Sequence, residues 1–229
     1  MKQHQSGSDT KPKLHIGCGL IAPAGWVNLD GSAGAWIAKH PVLKKTLKTF
    51  HLAPRSLFDT AWSPDIVVHD IRRRLPFDND SIGAAYGSHL LEHLYRDEAV
   101  SLLGECFRVL APGGIVRMMV PDLRGHAESY LNDSIPTRDG LTKADVFVEA
   151  LNFRDPHPVR GSAVYRLYTA LKDFHTHKWM YDADSLSSYF KEAGFTEIRT
   201  MKRHESRIKG IEEVERNDGL CVEGLKPDN

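Results

Sequence analysis

The sequence predicts an α/β fold: a doubly wound, mostly parallel, seven-stranded sheet with an antiparallel C-terminal edge. Three observations carry this. Short apolar runs alternate with amphipathic stretches along most of the chain, the pattern of strands joined by helices. Three early runs end in a glycine turn or a carboxylate: Leu14-His15-Ile16-Gly17-Cys18-Gly19, Val27-Asn28-Leu29-Asp30 and Ile66-Val67-Val68-His69-Asp70. Such ends line the crevice where open α/β sheets hold ligands. The last two strand-like runs, 195–203 and 219–224, have no long helix between them, as an antiparallel pair allows.

Each element follows in order. The glycine turn after the first strand lets backbone approach a ligand closely. The link from Gly19 to Asp30 contains Pro23 and Gly25, which argue against a helix, and is near the minimum of about a dozen residues for a parallel crossover. Residues 35–51 read as helix interrupted by Pro41, and Pro54 and Pro64 punctuate the route to the third strand. A turn-rich loop from Leu75 to Ser81 leads to a fourth strand, Ile82 to Tyr86, ending at Gly87-Ser88-His89. Asp97 is expected to cap a helix whose buried stripe is Val100, Leu103, Phe107 and Leu110. Pro112-Gly113-Gly114 is expected to stop it before a fifth strand, Ile115 to Val120. Residues 122–180 break the rhythm and read as an insertion over the crevice, a lid or acceptor-site segment. Regularity returns with a helix over 183–193, capped near Asp182 and ended by Gly194.

Composition narrows the function. The 229 residues suit one domain, expected over 12–229, with residues 1–11 a polar, disordered tail. Thirty basic residues balance thirty acidic ones, which argues against nucleic acid or an anionic membrane as partner. The three cysteines are too widely spaced for a disulfide framework or a zinc motif. Neither a signal peptide nor a membrane span is read, so the expected location is cytoplasmic.

Two motifs compete for the glycine turn and the fourth strand. Gly17-Cys18-Gly19-Leu20-Ile21-Ala22 formally satisfies a dinucleotide fingerprint, but that motif needs a helix at the turn and an acid about 20 residues on. His89-Leu90-Leu91-Glu92-His93 matches a zinc peptidase pattern, H-x-x-E-H, whose two histidines share one helix face and whose third ligand must come from elsewhere. No metal site is assigned.

Taken together, His15-Ile16-Gly17-Cys18-Gly19, Asp30, Asp70, Leu75-Pro76-Phe77, Ser88-His89-Leu90-Leu91-Glu92-His93, Phe107 to Gly114 and Glu192-Ala193-Gly194-Phe195 resemble a class I S-adenosylmethionine-dependent methyltransferase, of the small type 11-like family. The resemblance implies a Rossmann-like sheet and S-adenosyl-L-methionine as cofactor. It gives the turn Gly17, Cys18 and Gly19 to the methionine part, Asp30 to the ribose hydroxyls, and Asp70 with Ile71 to the adenine. Ser88 and His89 would lie beside the cofactor. His15 stands where the family usually has an acid, a position that contacts the cofactor's ammonium through its strand end. The expected acceptor is a small molecule or a glycan, methylated at oxygen, with His89, His175 or His177 as general base. His157 and Tyr165 are weaker candidates. An Asn/Asp-Pro-Pro-Tyr-type tetrapeptide for flipped bases is missing after the fourth strand. The alternatives are a catalytically silent cofactor-binding partner protein and a nicotinamide-dependent oxidoreductase.

Overall fold

The structure is a computed structural model that describes residues 11–50, 59–136, 140–153 and 176–228. Seven strands form one sheet: β1 (Lys13–Ile16), β2 (Trp26–Asp30), β3 (Val67–Val68), β4 (Ile82–Ser88), β5 (Leu110–Val120), β6 (Thr196–Met201) and β7 (Leu220–Leu225). Their order is β3-β2-β1-β4-β5-β7-β6. The first five run parallel, and β7 is antiparallel to both β5 and β6. The sheet is therefore mostly parallel with an antiparallel C-terminal edge. The strand order reverses at β1 and β4, so their carboxyl ends open the crevice.

Described helices are α1 (Ala33–Ala38), α2 (Pro41–Thr49), α3 (Arg96–Val109), α4 (Leu123–Leu131), α5 (Lys143–Leu151) and α6 (Ala183–Glu192). Pro41 starts α2 rather than merely interrupting a helix, because its fixed φ and missing N–H suit a first turn. Asp182 accepts a hydrogen bond from Ser185 N at 2.8 Å and caps α6. Between Gly19 and Trp26 the chain makes turns only.

One sheet face carries the larger core. Leu14, Ile16 and Leu29 pack there with Ala99, Leu102, Leu103 and Cys106 of α3 and Leu186, Tyr189 and Phe190 of α6. Each fully buried leucine contributes roughly 1.5–3 kcal/mol of transfer free energy. The other face holds a smaller cluster of Trp26, Ala84, Tyr86, Ile208, Ile211 and Val214. Also buried is Arg117, whose guanidinium donates to Glu215 Oε1 at 2.8 Å and Glu223 Oε1 at 3.0 Å.

Several expectations are corrected. The third strand is only Val67–Val68, because Asp70 has turned away to bind Arg72. The cap of α3 is Tyr95, not Asp97: Glu98 reaches back and accepts from Tyr95 N at 2.9 Å. The α3 stripe is rotated by one position, with Ala99, Leu102 and Cys106 buried beside Leu103, while Val100 and Phe107 flank the core. Pro112-Gly113-Gly114 lies inside β5, not between helix and strand. The β4–β5 register jumps there, with Ile82 opposite Leu110 but Ala84 opposite Ile115. Gly113 N donates to Lys226 O, and Lys226 N to Gly114 O, both at 2.9 Å, so the C-terminal chain holds this bulge.

Candidate functional site

The site is built at the carboxyl ends of β1, β2 and β4. Gly17 and Gly19 have φ of +65° and +54°, the left-handed region that glycine reaches without strain. A side chain at Gly17 would also meet Leu90 Cδ1 at 3.0 Å, so the turn packs directly on the segment after β4. Asp30 ties the turn to β2. Its Oδ2 accepts from Gly19 N at 2.9 Å and its Oδ1 from Ser32 N at 2.8 Å. Ser32 then caps α1 through a bond from Ala35 N to its Oγ at 3.3 Å.

Asp70 lies one strand over. Its carboxylate accepts from Arg72 Nε and Nη2, each at 2.9 Å, and from Arg72 N at 3.1 Å. The Arg72 hydrogen bond holds its pKa below the usual carboxylate range. Ile71 is buried. The β2 and β3 ends are locked together: His69 N donates to Asp30 O at 3.1 Å, and a Cβ on Gly31 would fall 2.6 Å from His69 O. Gly31 is a sterically constrained position that sequence reasoning passed over, although a glycine directly after the acid was its signal.

His15 faces away from the main core. Its ring packs against Trp26 and Tyr86, with centroids 6.2 and 5.5 Å apart. Burial lowers its pKa to about 4, so the imidazole is neutral near pH 7. Cys18 is buried too, and burial pushes its thiol up to about 12. It stays protonated and is no nucleophile.

After β4, Ser88 Oγ lies 3.5 Å from Met119 Sδ. His89 adopts φ of +48° and donates its backbone N–H to Met119 O at 2.9 Å. Its ring is held between Glu92, with Nδ1 3.2 Å from Oε1, and Asp218 O, 3.3 Å from Nε2. The Glu92 contact raises the His89 pKa. The following residues form a 3-10 turn, Leu91–His93, and not an α-helix. The peptidase-like pattern fails on this point, since His89 and His93 do not share a helix face.

The last residues of the insertion return to this turn. Lys178 N and Trp179 N both donate to Glu92 O, at 2.6 and 3.2 Å, and Tyr181 Oη donates to Leu91 O at 3.4 Å. His177 is thereby brought to His93, with ring centroids 5.2 Å apart. Burial lowers the His177 pKa. His175, His157 and Tyr165 lie outside the described residues. Of the insertion, α4 and α5 pair through stacked Tyr130 and Phe147 rings, 4.9 Å apart.

The sheet order, the glycine turn and the acid after β2 coincide with a sequence match. Residues 14–118 match the model of a family described as a methyltransferase domain. Over these residues the chain is similar to that family. No curated protein matches in sequence. A S-adenosylmethionine-dependent methyltransferase from Archaeoglobus fulgidus shares the fold, with 11% identity and a TM-score of 0.50, covering 94% of this chain and 86% of that one. A methyltransferase structure from Methanosarcina mazei is 17% identical at a TM-score of 0.49, covering 96% and 93%. The apo methyltransferase SibL is 16% identical at 0.44, and the chain covers 98% of itself but only 53% of that protein.

The residues of this site fit the cofactor of such methyltransferases, S-adenosyl-L-methionine. An ionised carboxylate has about four acceptor sites. Asp30 uses one on each oxygen for Gly19 and Ser32, which leaves one on each for two vicinal hydroxyls. Asp70 Oδ2 likewise retains acceptor capacity beside Arg72. The dinucleotide reading does not fit. The first helix after Gly19 is α1, at Ala33, so no helix N-terminus stands at the turn to receive a pyrophosphate.

Proposed function

We propose that this chain transfers a methyl group from S-adenosyl-L-methionine to a hydroxyl oxygen of a small molecule or glycan. The observation that carries the reading is the Asp30 carboxylate, fixed by Gly19 and Ser32 N–H groups beside the switch point, with one acceptor site on each oxygen left over. In this reading Asp30 binds the ribose, and Asp70 with Ile71 borders the adenine. Gly17, Cys18 and Gly19 present backbone to the methionine part, with the end of the His15 strand beside it. The cofactor supplies an activated methyl group on a good leaving group, so the protein's work is alignment and exclusion of water.

Ser88 and His89 stand at the end of β4, beside this cradle. In this reading His89 takes the hydroxyl proton, and Glu92 stabilises the imidazolium that results. His177 and His175 are the further bases from the sequence reading. Residues 122–180 shape the acceptor site, and the reaction is cytoplasmic. Neither nucleic acid nor a membrane is the partner; among the described residues no helix is long and apolar enough to cross a membrane.

The test is single-turnover transfer from methyl-labelled cofactor to panels of hydroxylated small molecules and glycans. The expected result is an ether product whose formation rate falls at least tenfold in His89→Ala. Label found only on nitrogen or carbon, or an unchanged rate in the variant, would overturn the oxygen and base assignments. Cofactor binding without transfer to any acceptor would favour the silent partner protein.

A further inference from the structure

The turn after β4 gathers more polar groups around Glu92 than the pairing with His89 accounts for. Glu92 is fully buried, with no exposed surface. Its Oε1 faces His89 Nδ1 at 3.2 Å, and neither carboxylate oxygen accepts a well-aligned hydrogen bond among the described residues. A buried carboxylate in that condition is destabilising unless a cation meets it. Two imidazoles converge on the same place. One ligand atom from each of Glu92, His93 and His177 lies within 4.8 Å of the others.

The outer contacts of both histidines are those of metal ligands. His93 Nδ1 faces Thr176 O at 3.2 Å, and His177 Nδ1 faces Leu151 O at 2.8 Å. A backbone carbonyl accepts only from N–H, so each proton sits on Nδ1 and each Nε2 carries the lone pair. Metal-bound histidines characteristically donate the other ring N–H in this way. The neighbouring Lys178 ammonium is directed to Thr176 Oγ1 at 3.1 Å.

We propose that Glu92, His93 and His177 form a site for a divalent transition metal, with zinc the best match. Two imidazoles and one carboxylate are the donor set of three-ligand zinc sites, which keep a fourth position open. Metal binding adds a divalent charge beside the buried carboxylate. It also fastens the end of the insertion to the turn after β4, 84 residues away in sequence (177 − 93). His177 is then a ligand, and the proton-accepting role stays with His89. The site stands on these three side chains alone and does not depend on methyl transfer.

The test uses the full chain without cofactor. Protein stripped by chelator and dialysed is titrated with Zn2+, and bound metal is measured per chain. One tightly held zinc is expected. Co2+ in its place should give the intense visible absorption of a four-coordinate ion. Loss of an outer-sphere partner costs 10–100-fold in metal affinity, so loss of a ligand in His93→Ala or His177→Ala should cost at least about 100-fold. His40→Ala, at an exposed histidine, should change nothing. If one ligand variant loses its thermal transition, the other and the isosteric Glu92→Gln decide the matter. No retained zinc, or zinc held equally by the ligand variants, would overturn the proposal.

Discussion

Replacing Asp30 with alanine tests the cradle at its narrowest point. The carboxylate spends one acceptor site per oxygen on Gly19 N and Ser32 N, at 2.9 and 2.8 Å, and is almost fully buried. Two ribose hydroxyls would each donate a bond to a charged acceptor. Such bonds are worth about 1.5–3 kcal/mol apiece, so together roughly 3–6 kcal/mol. At about 1.4 kcal/mol per decade, S-adenosylmethionine affinity should fall roughly 100- to 10,000-fold. The fold should survive, because Ser32 still caps α1 and the core contacts of β1 and β2 are untouched. The assay is calorimetric titration of wild type and variant, with thermal melts of both apo proteins. A variant that melts normally and binds within threefold of wild type would refute the assignment of Asp30 to the ribose.

Three further outcomes follow from the geometry. Gly31→Ala puts a Cβ 2.6 Å from the His69 carbonyl; the backbone must shift, and stability should fall by about 1–3 kcal/mol, with weakened cofactor binding, as read by urea midpoint and titration. His15, with its folded pKa near 4 against roughly 6.5 unfolded, binds fewer protons folded than unfolded between those values. Its contribution is present above pH 6.5 and is lost as pH falls towards 4, a loss of roughly 3 kcal/mol; His15→Leu should therefore lose less stability than wild type between pH 7 and pH 4, and an equal loss would count against the assignment. Glu215→Ala leaves the Arg117 guanidinium buried with only Glu223 as counter-charge, so about 3–5 kcal/mol should be lost; at roughly 2–4 °C per kcal/mol in a chain of this size, calorimetry should record a melting point lower by about 6–20 °C.

The parts of this protein legible in its sequence are those governed by short-range rules. Gly17, Gly19 and Asp30 announced the cradle because a left-handed turn demands glycine and a strand-end carboxylate demands donors. Asp182 marked a helix start for an equally local reason. What escaped depends on partners far along the chain. Pro112-Gly113-Gly114 reads locally as a helix stop, yet Lys226 backbone pairs with it and keeps it in the sheet. Asp97 is a good cap by type, but Glu98 closes on Tyr95 and moves the start back. His89 and His93 fit a helical spacing that the turn after β4 does not adopt, while His177 reaches His93 only through backbone bonds from the returning segment to Glu92.

The most direct measurement is a calorimetric titration of the apo protein with S-adenosylmethionine and with its demethylated product, beside NAD. Saturable one-to-one binding of both sulfur nucleosides, with no heat from NAD, is the predicted result. Preference for NAD, or no binding by either sulfur nucleoside, would contradict it.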